Sequence, residues 1–230
     1  MDNIIIRTLK RVSALKQTSA SSFKRHNGEF EMKNEEEIAA VRSELEKMDK
    51  SGFMDIPENK FGQILAKYPT VRHTAVDIGS GAGWLSAKLA GDYKFVEVMA
   101  IDPSPALINV AKGFYPAEQY PAIKWVRGFA EDVLSNLNFT EPVFFFTGCV
   151  LSHLRDKEAA RICEAVNKIS PIGSVLSFGE CWGTEWHQYM WHVRTKEWWQ
   201  RELPGWELDF HGPNIQEVPG RHKGFHGVKK

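Results

Sequence analysis

Asp77, Gly79, Gly81 and Gly83 stand at alternate positions in Asp77-Ile78-Gly79-Ser80-Gly81-Ala82-Gly83-Trp84. A loop with so little Cβ bulk turns sharply and lets a ligand touch the main chain. Its N–H groups, with the N-terminus of a following helix, offer positive partial charge to an anionic group. The spacing excludes the dinucleotide fingerprint G-x-G-x-x-G, because the third glycine position counted from Gly79 and Gly81 falls on Trp84. A tight strand–helix turn with no ligand is the plainer alternative, but glycine costs stability wherever nothing requires it. Further along, Asp102 precedes Pro103-Ser104-Pro105. A carboxylate there can accept hydrogen bonds from both hydroxyls of a ribose, or can cap a helix from about Ser104 to Lys112.

The elements that must position these residues follow from periodicity. Thr74–Ile78 is a short β-branched run of the kind that makes a buried parallel strand. Trp84–Ala90 reads as a helix, Phe95–Ile101 as a second strand and Ile123–Arg127 as a third. Pro142–Thr147 is the fourth strand, Asp156–Ile169 an amphipathic helix with Ala160, Cys163, Val166 and Asn167 near one side, and Ser174–Gly179 the fifth strand. This alternation predicts an α/β fold, and in an open α/β sheet ligands bind outside the carboxyl ends of the strands. Asp77 and Asp102 both fall at such ends.

The order Asp-x-Gly-x-Gly-x-Gly, then Asp102, then Gly128-Phe129-Ala130-Glu131-Asp132, then Val150-Leu151-Ser152-His153-Leu154, resembles class I S-adenosylmethionine-dependent methyltransferases. The resemblance covers roughly residues 74 to 180. It implies a Rossmann-like fold, with a seven-stranded mostly parallel sheet, an antiparallel last strand, helices on both faces and a helical lid. Trp206–Phe210 and Phe225–Val228 then serve as antiparallel sixth and seventh strands. It implies S-adenosyl-L-methionine as cofactor, bordered by Asp77, Gly79, Ser80, Gly81, Gly83, Trp84, Asp102, Pro103, Phe129, Ala130, Glu131 and Thr147. Phe129 departs from the family pattern, which often has an Asp there to accept from the adenine amino group.

The chemistry expected is in-line transfer of a methyl group from a sulfonium, to which a protein chiefly contributes proximity and alignment. An acceptor that must lose a proton needs a general base. His153 is the first candidate, since the family places acceptor-facing residues after the fourth strand, although a pocket-lining role serves equally. Glu180, at the end of the fifth strand, is the second and His187 the third. His187 and His192, five apart, fall on different faces of a helix, and with no cysteine nearby no metal site is expected.

Four stretches organise the chain. Residues 1–28 carry Arg7, Lys10, Arg11, Lys16, Lys24 and Arg25 against Asp2 alone. That composition fits a flexible arm, a segment folding over substrate, or a transit peptide. Residues 29–70 form a helical lid: Asn34 and Glu37 make a capping box, and Ile38, Val41, Leu45 and Met48 an apolar stripe, before a second helix from Glu58 to about Tyr68. Residues 71–180 form the cofactor-binding core. Residues 181–230 complete the sheet and acceptor pocket. Trp198 and Trp199 there read as core packing or as an aromatic wall for the acceptor.

Length suits one decorated domain. A net charge of zero does not favour a nucleic-acid partner, so a small-molecule acceptor is expected. A methyltransferase of RNA, DNA or protein, or a non-catalytic partner protein of the same fold, remains the alternative. Cys149, Cys163 and Cys181 lack a Cys-x-x-Cys spacing and suggest a reduced, cytoplasmic protein. No apolar stretch approaches the ~20 residues that span a bilayer. The sequence is silent on oligomeric state.

Overall fold

The computed structural model describes residues 64–148, 150–180, 186–188, 191–211 and 224–230. The arm and nearly all of the expected lid lie outside the described residues, as do Cys149, Cys181 and Trp182. Residues 64–67 are helical, and Ile64 and Leu65 are buried.

Strands β1 (Thr74–Ile78), β2 (Glu97–Asp102), β3 (Ile123–Arg127), β4 (Val143–Gly148) and β5 (Val175–Gly179) alternate with helices α1 (Trp84–Gly91), α2 (Pro105–Phe114), α3 (Ala130–Ser135) and α4 (Asp156–Ile169). A short hairpin, β6 (Trp186–Gln188) and β7 (Trp191–Val193), follows, then α5 (Lys196–Glu202), β8 (Trp206–His211) and β9 (Gly224–Lys229). The seven-stranded sheet has the order β3-β2-β1-β4-β5-β9-β8. β1 to β5 pair in parallel, and β9 is antiparallel to both β5 and β8. β8 therefore runs with the first five strands, and β9 alone runs against them, rather than both final strands doing so.

Side chains alternate across the sheet, which splits the three phenylalanines of β4. Phe145 joins Val76, Ile78, Leu176 and the buried faces of α3, α4 and α5, whereas Phe144 and Phe146 join Ala75, Val98 and the α1 side. Both faces of the central strands are thus covered, as parallel strands require. On α4 the buried stripe is Ala159, Ile162, Cys163, Val166 and Ile169. Of the side expected from sequence, Cys163 and Val166 are buried, whereas Ala160 and Asn167 are partly exposed.

Trp186–Gln188 and Trp191–Val193 pair as antiparallel strands rather than forming a helix, with His187 opposite His192 in register. Aromatic and β-branched residues favour strands, and Trp191-His192-Val193 obeys that preference. Trp199 is fully buried and packs against Phe225 at 4.9 Å between ring centroids, with Trp198 edge-on to it.

Candidate functional site

The strand order reverses between β1 and β4, and the crevice beyond their carboxyl ends is where open sheets of this kind hold ligands. The glycine loop enters it from β1. The N–H groups of Gly79 and Ser80 both donate to the Ile101 carbonyl, at 2.8 and 2.9 Å, and that of Gly83 donates to the Ser80 carbonyl at 2.9 Å. These bonds fold the loop onto the end of β2 and leave Gly81 at its crest.

Gly79, Gly81 and Gly83 all have positive φ, at 73°, 55° and 84°. A Cβ on Gly79 would strike Val150, and one on Gly83 would strike Trp125 and Ala111. A Cβ on Gly81 would meet no described residue within 4 Å. The Gly81 N–H donates to Asp102 Oδ2 at 2.9 Å, and the Ser104 N–H to Oδ1 at 2.8 Å. Two backbone donors from two loops therefore fix the Asp102 carboxylate, which is buried. Ser104, rather than Asp102, caps α2: its hydroxyl accepts from the Leu107 N–H at 3.3 Å.

Asp77 lies on the same face as Ala75, under α1, where the Ser86 hydroxyl donates to its Oδ2 at 2.6 Å. Burial pushes the Asp77 carboxyl up to about 7; the Ser86 hydrogen bond opposes the rise and the nearby Asp102 charge adds to it. Ser80 Oγ is buried with no hydrogen-bond partner among the described residues. An unmatched buried hydroxyl beside an open stretch of main chain fits a ligand that brings polar atoms to this loop. The residues present thus suit a cofactor with one charged, polar end and a ribose.

On the β3 side, Phe129 is the half-buried N-cap residue of α3 and Ala130 is buried behind it. The Glu131 carboxylate is paired with Arg161 on α4 at 3.1 Å, so its side chain is engaged by the neighbouring helix. Pro103 is half-buried between Asp102 and Ser104. Trp84, the first residue of α1, is half-buried with Lys88 Nζ 5.0 Å from its ring centroid.

At the end of β4 the buried Thr147 hydroxyl donates to Glu180 Oε1. Glu180 is fully buried and does not open into the crevice as a free base would. Its Oε1 also accepts from the Leu151 N–H at 3.1 Å, and its Oε2 from the N–H and hydroxyl of Ser152, both at 2.8 Å. His153 closes the short 3-10 turn Leu151–His153 and is half-buried. His187 lies on β6, and β7 packs beside that turn. The structure thus gathers Asp77, the glycine loop and Asp102 at one point, and Thr147, Glu180 and His153 at the next.

Sequence reasoning missed Arg194, which is 1 % exposed. Its Nη1 donates to the Leu151 carbonyl at 2.8 Å, its Nη2 to the Leu154 carbonyl at 2.6 Å and its Nε to Asp156 Oδ1 at 2.9 Å. A lone arginine after Val193 carries no spacing signal. Ser86 and Trp125 were also unmarked, since a serine on α1 and a tryptophan on β3 carry no motif spacing of their own.

Residues 75–171, rather under half of the chain, match the family described as "Methyltransferase domain". No curated protein sequence matches the chain. Among solved structures, an S-adenosylmethionine-dependent methyltransferase from Clostridium acetobutylicum superposes with a TM-score of 0.61 at 12% identity, over 83% of this chain and 100% of that one. DesVI of Streptomyces venezuelae gives 0.61 at 9% identity, over 84% and 98%. The magnesium protoporphyrin IX methyltransferase of Synechocystis, with bound S-adenosylmethionine, gives 0.57 at 14%, over 80% and 83%. Residues 75–171 thus match a methyltransferase domain, and the fold is shared with S-adenosylmethionine-dependent methyltransferases. Among the described residues no helix is long and apolar enough to cross a membrane.

Proposed function

We propose that this protein transfers the methyl group of S-adenosylmethionine to a small-molecule acceptor. The observation that carries the reading is the Gly81–Asp102 pair: an open, side-chain-free crest hydrogen-bonded to a buried carboxylate at the sheet's switch point. When bound, the cofactor supplies a methyl group on a sulfonium, a leaving group that needs little further activation.

The chain's own residues then bind and align. The loop Gly79–Gly83, Ser80 Oγ and the Asp77 carboxylate hold the amino-acid end, and Asp102 accepts from the ribose hydroxyls. Trp84, Pro103, Phe129, Ala130 and the main chain of Glu131 border the rest. Thr147 closes the floor at the end of β4. His153 faces the acceptor and takes its proton where the acceptor must lose one, with His187 the reserve candidate; Glu180 holds the turn instead. The zero net charge and a similar fold that acts on a magnesium porphyrin both favour a small acceptor over a polymer. The buried, free Cys163 favours the cytoplasm as its compartment.

Incubation with a metabolite extract and methyl-labelled cofactor, followed by mass analysis, tests the reading. A labelled metabolite is expected, and its formation should collapse in Asp102→Ala. Label found only in RNA, DNA or protein overturns the small-molecule acceptor.

A further inference from the structure

The turn after β4 is gripped from both sides by buried charges of opposite sign. Within it, the His153 N–H donates to the Val150 carbonyl at 3.1 Å and the Leu154 N–H to the Leu151 carbonyl at 3.0 Å. Two buried side chains bond further main-chain groups of the turn. Glu180 accepts the N–H groups of Leu151 and Ser152. Arg194 donates to the carbonyls of Leu151 and Leu154.

Both charged residues lie beyond the matched stretch 75–171, whereas the turn lies inside it. Buried charges are seldom the most stabilising way to fill a core; they are better suited to fixing one conformation. The arginine is suited to that task because its planar fork reaches Leu151, Leu154 and Asp156 at once, which an ammonium cannot. Its guanidinium lies 4.6 Å from the Trp198 ring centroid and 5.8 Å from that of Trp199, so the Trp-rich helix forms its platform.

We propose that Arg194 and Glu180 are positioning residues that clamp Leu151–Leu154 and so set where His153 presents its imidazole to the acceptor. The proposal rests on the reading of His153 as acceptor-facing. It also gives β7 a role, since the His192 carbonyl accepts from the same guanidinium at 3.4 Å. A shift of the hairpin is thereby transmitted to the turn.

The test is histidine Cε1–H NMR on the full chain labelled at that carbon, with the His153 resonance assigned by its loss in His153→Gln. His73, at the other end of β1, is the internal control. In Arg194→Lys the His153 resonance should move and broaden about twofold or more, while His73 stays in place. S-adenosylhomocysteine affinity by calorimetry should stay within about threefold, since the glycine loop and Asp102 are untouched. If Arg194→Lys does not fold, Ser152→Ala decides. It removes one hydroxyl bond to Glu180 and should give a smaller change of the same kind. An unmoved His153 resonance in a folded variant overturns the clamp. So does a general shift of all histidines with loss of cofactor affinity, which would mark a merely structural role. Failure of the unmodified protein to bind S-adenosylhomocysteine would instead sink the cofactor reading and leave the NMR outcome to judge the clamp.

Discussion

At Gly83 an added methyl group would have to share space with Trp125 and Ala111, whereas at Gly81 it would meet open space. Both positions carry positive φ, so alanine pays a backbone strain of about 1–3 kcal/mol at either. Overpacking adds roughly 1–3 kcal/mol at Gly83 only. Gly83→Ala is therefore expected to lose about 3 kcal/mol or more in urea unfolding. Gly81→Ala should lose nearer 1 kcal/mol, yet bind S-adenosylhomocysteine at least about tenfold more weakly, because the proposed function has the ligand meet the main chain at this crest. Equal stability losses would contradict this division of duties. Asp77 gives a second test at this scale. Its carboxyl titrates near 7 when folded against an ordinary 3.8. An acid raised in this way contributes most below pH 4, and that contribution falls as pH rises through 7, because the unfolded chain ionises first. Asp77→Asn should remove the fall. The stability difference between pH 5 and pH 8 should shrink by about 2–3 kcal/mol in parallel denaturation series, and an unchanged slope contradicts the assignment.

Helix α4 shows how burial is decided once an element docks. Its stripe Ala159, Ile162, Cys163, Val166 and Ile169 faces α3, α5 and the sheet. Ile162→Ala should cost roughly 2–5 kcal/mol, and Ala160→Ser on the partly exposed side less than about 0.5 kcal/mol; the reverse ranking in thermal unfolding would mean the helix is rotated. The sequence pattern placed this helix to the residue but read its inward face about one position off, because Ala160 and Asn167 carry too little hydrophobic contrast to mark the face. Strands β1 and β3 were legible at both ends, since β-branched runs bounded by glycine or proline leave no competing reading. The hairpin β6–β7 was not. Five-residue spacing of two histidines has meaning only after the secondary structure is known, and a strand preference carried by three residues on each side is too short a signal to outweigh a helical reading. The proposed cofactor crevice was legible because the groups assigned to it are backbone and two acids at strand ends, and the structure brings these together. The hold on the His153 turn was not, because Glu180 and Arg194 reach it from elements 28 and 40 residues away.

Across the molecule, the Gly81–Asp102 and Ser104–Asp102 bonds join the ends of β1 and β2 through one carboxylate, so a ligand seated there binds the folded chain and has no site on the unfolded one. S-adenosylhomocysteine at 100 times its dissociation constant should then add about 2.7 kcal/mol to stability. For a chain of this size that is roughly 5–11 °C in Tm. On the proposed reading Asp102→Ala removes the acceptor for two ribose hydroxyls and should weaken binding by about 1.5–3 kcal/mol. At the same ligand concentration the stabilisation should drop to roughly 0.3–1.3 kcal/mol. The variant also loses its own bonds to Gly81 and Ser104, so its ligand-free Tm falls too, and only the ligand-induced increment isolates the site. Amide exchange should slow on binding at Gly79 and Ser80, whose N–H groups bond to the Ile101 carbonyl, and at Gly81 and Ser104, whose N–H groups bond to Asp102. If Asp102→Ala keeps the full increment, or protection appears only in strands distant from the crevice, the ligand sits elsewhere on the sheet and the switch-point assignment is wrong.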